Sequence, residues 1–110
     1  KARLEHRMAD ASSNPYTATA AVLQASLLGL ENGYSLPPME TGDGFEKTDA
    51  KESTAMDLKG ATADLKADTA LCNAVGDMLC ANHVYMKEQE VKKTRDLEGD
   101  ALRDFYVHFV

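Results

Sequence analysis

The chain has 110 residues, 44% of them hydrophobic and 27% charged, and a formal net charge of −6. Its length caps it at one domain, large enough in principle to bury a core, and its ordinary apolar and charged shares exclude disordered and fibrous classes. Acidic balance with scattered Lys and Arg excludes a nucleic-acid binder, which needs clustered cations, and no apolar run is long enough to span a bilayer.

Residues 3–8 alternate: Leu4, His6 and Met8 fall on one side, and Arg3, Glu5 and Arg7 on the other. That two-residue period predicts a strand with one charged face. The chain opens inside this strand with Lys1 rather than Met, which reads as the cut end of a larger polypeptide. The start lacks the basic, apolar and small-residue order of a secretory signal, so the expected compartment is the cytoplasm.

Residues 10–13 are turn-like, and Asn14-Pro15 marks a helix start: Asn accepts from the orphan amides, and Pro has no N–H to waste at the first helical position. The helix is expected to run to about Glu31, with Asn32-Gly33 as its stop. Over residues 16–30 Ala, Leu and Val lie on nearly every side, interrupted only by small or neutral polar residues such as Thr17, Thr19, Gln24 and Ser26. A helix without a solvated face has to be covered all round. So short a chain has little to cover it with, so partner chains or absent residues must do so.

Residues 34–55 carry Pro37-Pro38, Gly42, Gly44 and several acids without a sustained period, and predict a long surface loop. Leu58, Ala61 and Leu65 then outline a short helix to about Lys66, and Leu71, Val75 and Leu79 outline another from Thr69 to about Leu97. Asp57 and Asp68 stand as caps and Gly76 as a bend or break. Read along one helix, Cys72 and Cys80 would lie about 12 Å apart on the axis, too far for a bridge, and read as small buried apolar residues. The charge run over residues 87–100 reads as a solvated helix face. In the final stretch Gly99 is a break, Asp100 a cap, and Phe105, Tyr106, Phe109 and Val110 form an apolar tail that should dock against protein.

Two guanidinium groups around one carboxylate are costly in a core unless something binds there, and unremarked on a wet face. The run RLEHRMADASSNPY, residues 3–16, resembles the segment of glutamine synthetases in which an R-x-E-x-R strand leads through an acidic turn to N-P-Y at a helix head; Arg3, Glu5, Arg7, Asp10, Asn14, Pro15 and Tyr16 stand at the family's spacing. Gly29-Leu30-Glu31-Asn32 is similar to the end of the family's Ala- and Leu-rich helix. LKGATADLKADTALCNAVG is similar to its S-L-x-x-A-L-x-x-L-x-x-D region, and DFYVHFV to its aromatic C-terminus.

The resemblance implies an ATP-dependent ligase that joins ammonia or an amine to the γ-carboxyl of glutamate through a γ-glutamyl phosphate. It assigns Glu5 as a ligand of Mg²⁺ or Mn²⁺ beside the ATP γ-phosphate, Arg3 as a phosphate contact in nucleotide binding, and Arg7 as the clamp on the glutamate substrate, with both arginines catalytic. Hard carboxylate oxygen suits such cations, and guanidinium forks suit carboxylate and phosphoryl oxygens. The tail LEGDALRDFYVHFV departs from the best-known bacterial members and points to a divergent enzyme using an amine other than ammonia. The remaining metal, nucleotide and ammonia ligands are not in this sequence, so the fragment is expected to be inactive and to carry no cofactor by itself. The family's double rings of six imply a homo-oligomer, with no nucleic-acid or membrane partner. The implied fold class is mainly α here, one N-terminal strand followed by helices and a long loop, within a parent domain that is α+β. The competing reading is a free-standing helical module that buries residues 16–30 and the tail in a homo-oligomer without catalysis.

Overall fold

The structure is a computed structural model that describes residues 2–39, 41–43 and 53–108. Its elements are helices: α1 (Pro15–Glu31), α2 (Leu58–Ala67), α3 (Thr69–Val75), α4 (Asp77–Thr94) and α5 (Gly99–Val107). The mainly helical expectation holds, and the N-terminal strand is a correction. Residues 2–7 have no regular secondary structure, and no strand forms among the described residues. An extended segment persists as a strand only when a neighbouring ladder takes up its amides and carbonyls. No other described segment supplies one.

The helix ends follow local chemistry. Asn14 Oδ1 accepts from the Tyr16 and Thr17 amides at 3.0 and 3.3 Å, with Pro15 at the first helical position. At the far end Gly33 turns left-handed at φ 62°, the Tyr34 amide donates to Gly29 O at 3.0 Å, and the Gly33 amide donates to Leu30 O at 3.3 Å. That pair of bonds closes the helix by satisfying carbonyls with no partner further along. Asp57 caps α2 through the Gly60 amide at 2.6 Å. Asp68 closes α2 with its own amide and opens α3 by accepting from the Leu71 amide at 2.9 Å.

Gly76 separates α3 from α4 with φ 120° and ψ 119°, a conformation that side chains disfavour. The sequence reading allowed a bend or a break here, and the structure has a break. Asp100 is likewise not a cap. Glu98 holds that position without a side-chain hydrogen bond, and Asp100 lies in the first turn of α5, where its carboxylate faces the positive end of the helix and pairs with Arg103 at 2.9 Å.

α4 packs on α2 and α3, and α1 packs on α3. The resulting core is small: among the described residues only Cys80, Val84 and Thr62 are buried. The accessible surface is 9856 Å², against about 6,000 Å² for a compact protein of this mass. The Cα radius of gyration, 16.5 Å, similarly exceeds the ~13 Å of a compact domain of this length. The capacity for a closed core that the length allows is therefore not used. α1 shows why: among the described residues it packs chiefly on α3 and leaves Tyr16, Leu23, Leu27 and Leu30 exposed, Leu30 by 81%.

Of the expected long loop, residues 34–39, 41–43 and 53–55 have no helix or strand, and residues 40 and 44–52 lie outside the described residues, as do Phe109 and Val110 of the tail. Among the described residues, no helix is long and apolar enough to cross a membrane.

Candidate functional site

The three charged side chains of the N-terminal segment come together without a strand to align them. Arg3 Nη2 donates to Glu5 Oε2 at 3.1 Å, while Arg7 Nε and Nη2 approach Glu5 Oε1 at 2.8 and 2.6 Å. Each carboxylate oxygen therefore has its own arginine. The cluster is solvent-facing, with side-chain exposures of 77% for Arg3, 46% for Glu5 and 84% for Arg7. Hydrogen bonds from Arg7 and then Arg3 hold the Glu5 carboxyl below its ordinary range.

The segment enters α1 through a side-chain-built turn. Asp10 Oδ1 accepts from both the amide and the hydroxyl of Ser12 at 2.7 Å, and Asp10 O accepts from the Ser13 amide at 3.2 Å. These Ser12 bonds lower the Asp10 carboxyl. Four residues later Asn14 caps α1. Turn and cap together fix the direction in which the Arg-Glu-Arg segment leaves the helix.

Glu5 is the single carboxylate of the cluster, and among the described residues no three His, Cys, Asp or Glu side chains gather as a metal site. Its hard oxygens fit one position in the shell of a divalent cation, which takes several oxygen ligands. The residues present thus fit one part of a metal site, together with two forks for anionic oxygen.

A family model described as "Glutamine synthetase, catalytic domain" matches residues 1–106. The chain belongs to the glutamine synthetase family. Among the family's proteins it is 32% identical over 97 residues to a glutamine synthetase of Thermotoga maritima, covering 83% of this chain and 22% of that protein. It is 26% identical over 108 residues to lengsin of Rattus norvegicus and to lengsin of Mus musculus, in each case covering 96% of this chain and 19% of the relative. The chain spans about a fifth of the length of these relatives. No solved structure gives a significant match.

Two features outside the family motif escaped the sequence reading. The run over residues 87–100 is not wholly solvated: Lys87 pairs with Glu90 at 2.8 Å, and Glu90 accepts from the Tyr106 hydroxyl at 2.8 Å, all partly buried between α4 and α5. The three-residue spacing of Lys87 and Glu90 carried that signal. Arg95 pairs with Asp96 at 3.0 Å. The second feature is the cysteines. Beside the break at Gly76, buried Cys80 and half-buried Cys72 line one cleft, and the Cys72 thiol donates to Leu65 O at 3.3 Å.

Proposed function

We propose that this chain is the part of an ATP-dependent carboxylate–amine ligase that carries the Arg3, Glu5 and Arg7 side chains into its active site. The enzyme joins ammonia or another amine to the γ-carboxyl of glutamate by way of a γ-glutamyl phosphate, and acts as a cytoplasmic homo-oligomer. The observation that carries this reading is the convergence of two guanidinium groups on one exposed carboxylate, in a segment at the family's spacing.

In this reading Arg7 swings from Glu5 to clamp the substrate carboxylate, and Arg3 faces the phosphoryl oxygens. Planar forks reproduce on the ligand the bonds they make here to Glu5. Glu5, released from at least one arginine, offers an oxygen to Mg²⁺ or Mn²⁺, which when bound neutralises the ATP γ-phosphate. The resting cluster keeps Glu5 ionised and both arginines poised, so substrate exchanges one set of charge-assisted bonds for another. Charges fixed where phosphoryl transfer develops its own charge lower the barrier, and a single such donor is typically worth about 10²–10³ in rate.

The chain alone supplies too few ligands and is inactive. Calorimetry should show no heat of Mg-ATP binding to the 110-residue chain. The complete protein should release phosphate from ATP only when glutamate and an amine are both present, with amide formed in equal amount. Phosphate release independent of glutamate would defeat the assignment. A scan of ammonia against short alkylamines then identifies the acceptor.

A further inference from the structure

Among the described residues Arg3, Arg7, Lys66, Lys87, Arg95 and Arg103 each pair with a carboxylate, and the cations left without one are Lys59, Lys92 and Lys93. Lys59 and Lys92 line the same open cleft of about 350 Å³ between α2 and α4, and Lys66 joins them there. On a chain of net charge −6, where acids are in excess, this gathering of unpaired cations is a local exception.

Helical register builds the cleft. Lys59, Ala63 and Lys66 are spaced four and three residues apart and share one face of α2, and Glu88, Val91 and Lys92 share one face of α4. The two faces border the same cleft where α2 packs on α4. Thr62 is buried with its hydroxyl donating to Leu58 O at 2.6 Å, so it lines the cleft without a free donor. Ala63 and Val91 add an apolar wall. Glu88, the carboxylate among the lining residues, accepts from Lys66 at 3.0 Å. An ammonium group has three donors, so Lys66 can hold Glu88 and still face a ligand.

We propose that the α2–α4 cleft binds a small phosphomonoester, with its phosphoryl group among Lys59, Lys66 and Lys92 and its apolar body against Ala63 and Val91. Ammonium groups act as point charges suited to phosphoryl oxygen, whereas a planar carboxylate is matched better by an arginine fork, and no arginine lines this cleft. The volume falls at the small end of the range for ligand pockets, about 300–1,000 Å³. Lys59 stands in the first turn of α2, the end at which the helix dipole disfavours a cation and favours an anion, so a bound phosphoryl group relieves an existing cost. The cleft shares no residue with the Arg3, Glu5 and Arg7 cluster, so its occupancy is measurable apart from any catalysis.

The test is amide NMR of the chain titrated with phenyl phosphate and, in parallel, with inorganic phosphate and with sodium chloride at matched ionic strength. Phenyl phosphate should give saturating shifts centred on α2 and the facing part of α4, inorganic phosphate should bind more weakly, and chloride should give no saturating shift. Lys92→Glu should weaken phenyl phosphate binding about fivefold or more. Lys93→Glu makes the same change of charge one residue away and outside the cleft, and should leave binding within about twofold of the parent. Shifts that only follow ionic strength, shifts confined to the Arg3 to Arg7 segment, equal weakening by both variants, or inorganic phosphate binding as tightly as phenyl phosphate would overturn the inference. Should a variant fail to fold, the position and saturation of the shifts in the unsubstituted chain decide the matter.

Discussion

The Tyr106 hydroxyl donates to Glu90 Oε1 at 2.8 Å and so ties α5 to α4, while Lys87 holds the other oxygen of the same carboxylate at 2.8 Å. Partial burial works to raise the Glu90 carboxyl, but the bonds from Lys87 and Tyr106 outweigh it and the group ends below its ordinary value of 4.5. Burial and the Glu90 acceptor raise Tyr106 above its ordinary value of 10.0. A lowered acid stabilises the fold above its unfolded value and ceases to as pH falls through the folded one. A raised phenol stabilises below its unfolded value and ceases to as pH rises through the folded one. Docking of α5 should therefore be strongest between about pH 5 and 9 and weaken on both sides. Tyr106→Phe should cost about 1 kcal/mol in urea unfolding and remove the alkaline arm; an unchanged alkaline arm would contradict the contact.

Gly76→Ala places a Cβ on a backbone at φ 120°. The strain should cost about 1–3 kcal/mol, although nothing lies near enough to clash. A variant as stable as the parent would mean that α3 and α4 join into one helix, which amide exchange at residues 75–78 would reveal as new protection.

Capping substitutions separate local from tertiary stability. Asn14→Ala and Asp68→Ala each remove a side-chain acceptor for helix amides and should each cost about 1 kcal/mol. Circular dichroism melts with no shift for either would show that these ends are satisfied in another way.

Much of this architecture is legible in the sequence because it is local. Asn14-Pro15, Asn32-Gly33, Asp57 and Asp68 act within four residues of themselves, and each terminus falls where they place it. The strand at residues 3–8 could not be read in the same way, because alternation states which side chains share a face and not whether a ladder partner exists. Gly76 was legible as an interruption, but not its φ, and the direction of α4 follows from φ. The Arg3, Glu5 and Arg7 grouping was visible from spacing, whereas the Tyr106–Glu90 contact, sixteen residues apart, depends on how α5 folds back.

The exposed face of α1 predicts association. Tyr16, Leu23, Leu27 and Leu30 stay in water on a chain whose surface far exceeds that of a compact protein. Sedimentation at rising concentration should show oligomers, and Leu23→Lys with Leu27→Glu should shift them toward monomer. A parent chain that remains monomeric at high concentration would contradict this.

The Arg-Glu-Arg cluster is exposed, and exposed ion pairs contribute little to stability. Arg3→Ala, Glu5→Ala and Arg7→Ala should leave thermal unfolding of the chain unchanged.

The most direct test of the account is glutamate-dependent phosphate release by the complete protein carrying Arg7→Lys or Glu5→Ala. The account predicts that Arg7→Lys chiefly raises the KM for glutamate, because the fork is lost and the charge kept. It predicts that Glu5→Ala lowers kcat about 10²-fold or more with a higher requirement for Mg²⁺. Unaltered turnover and metal dependence in both variants would contradict it.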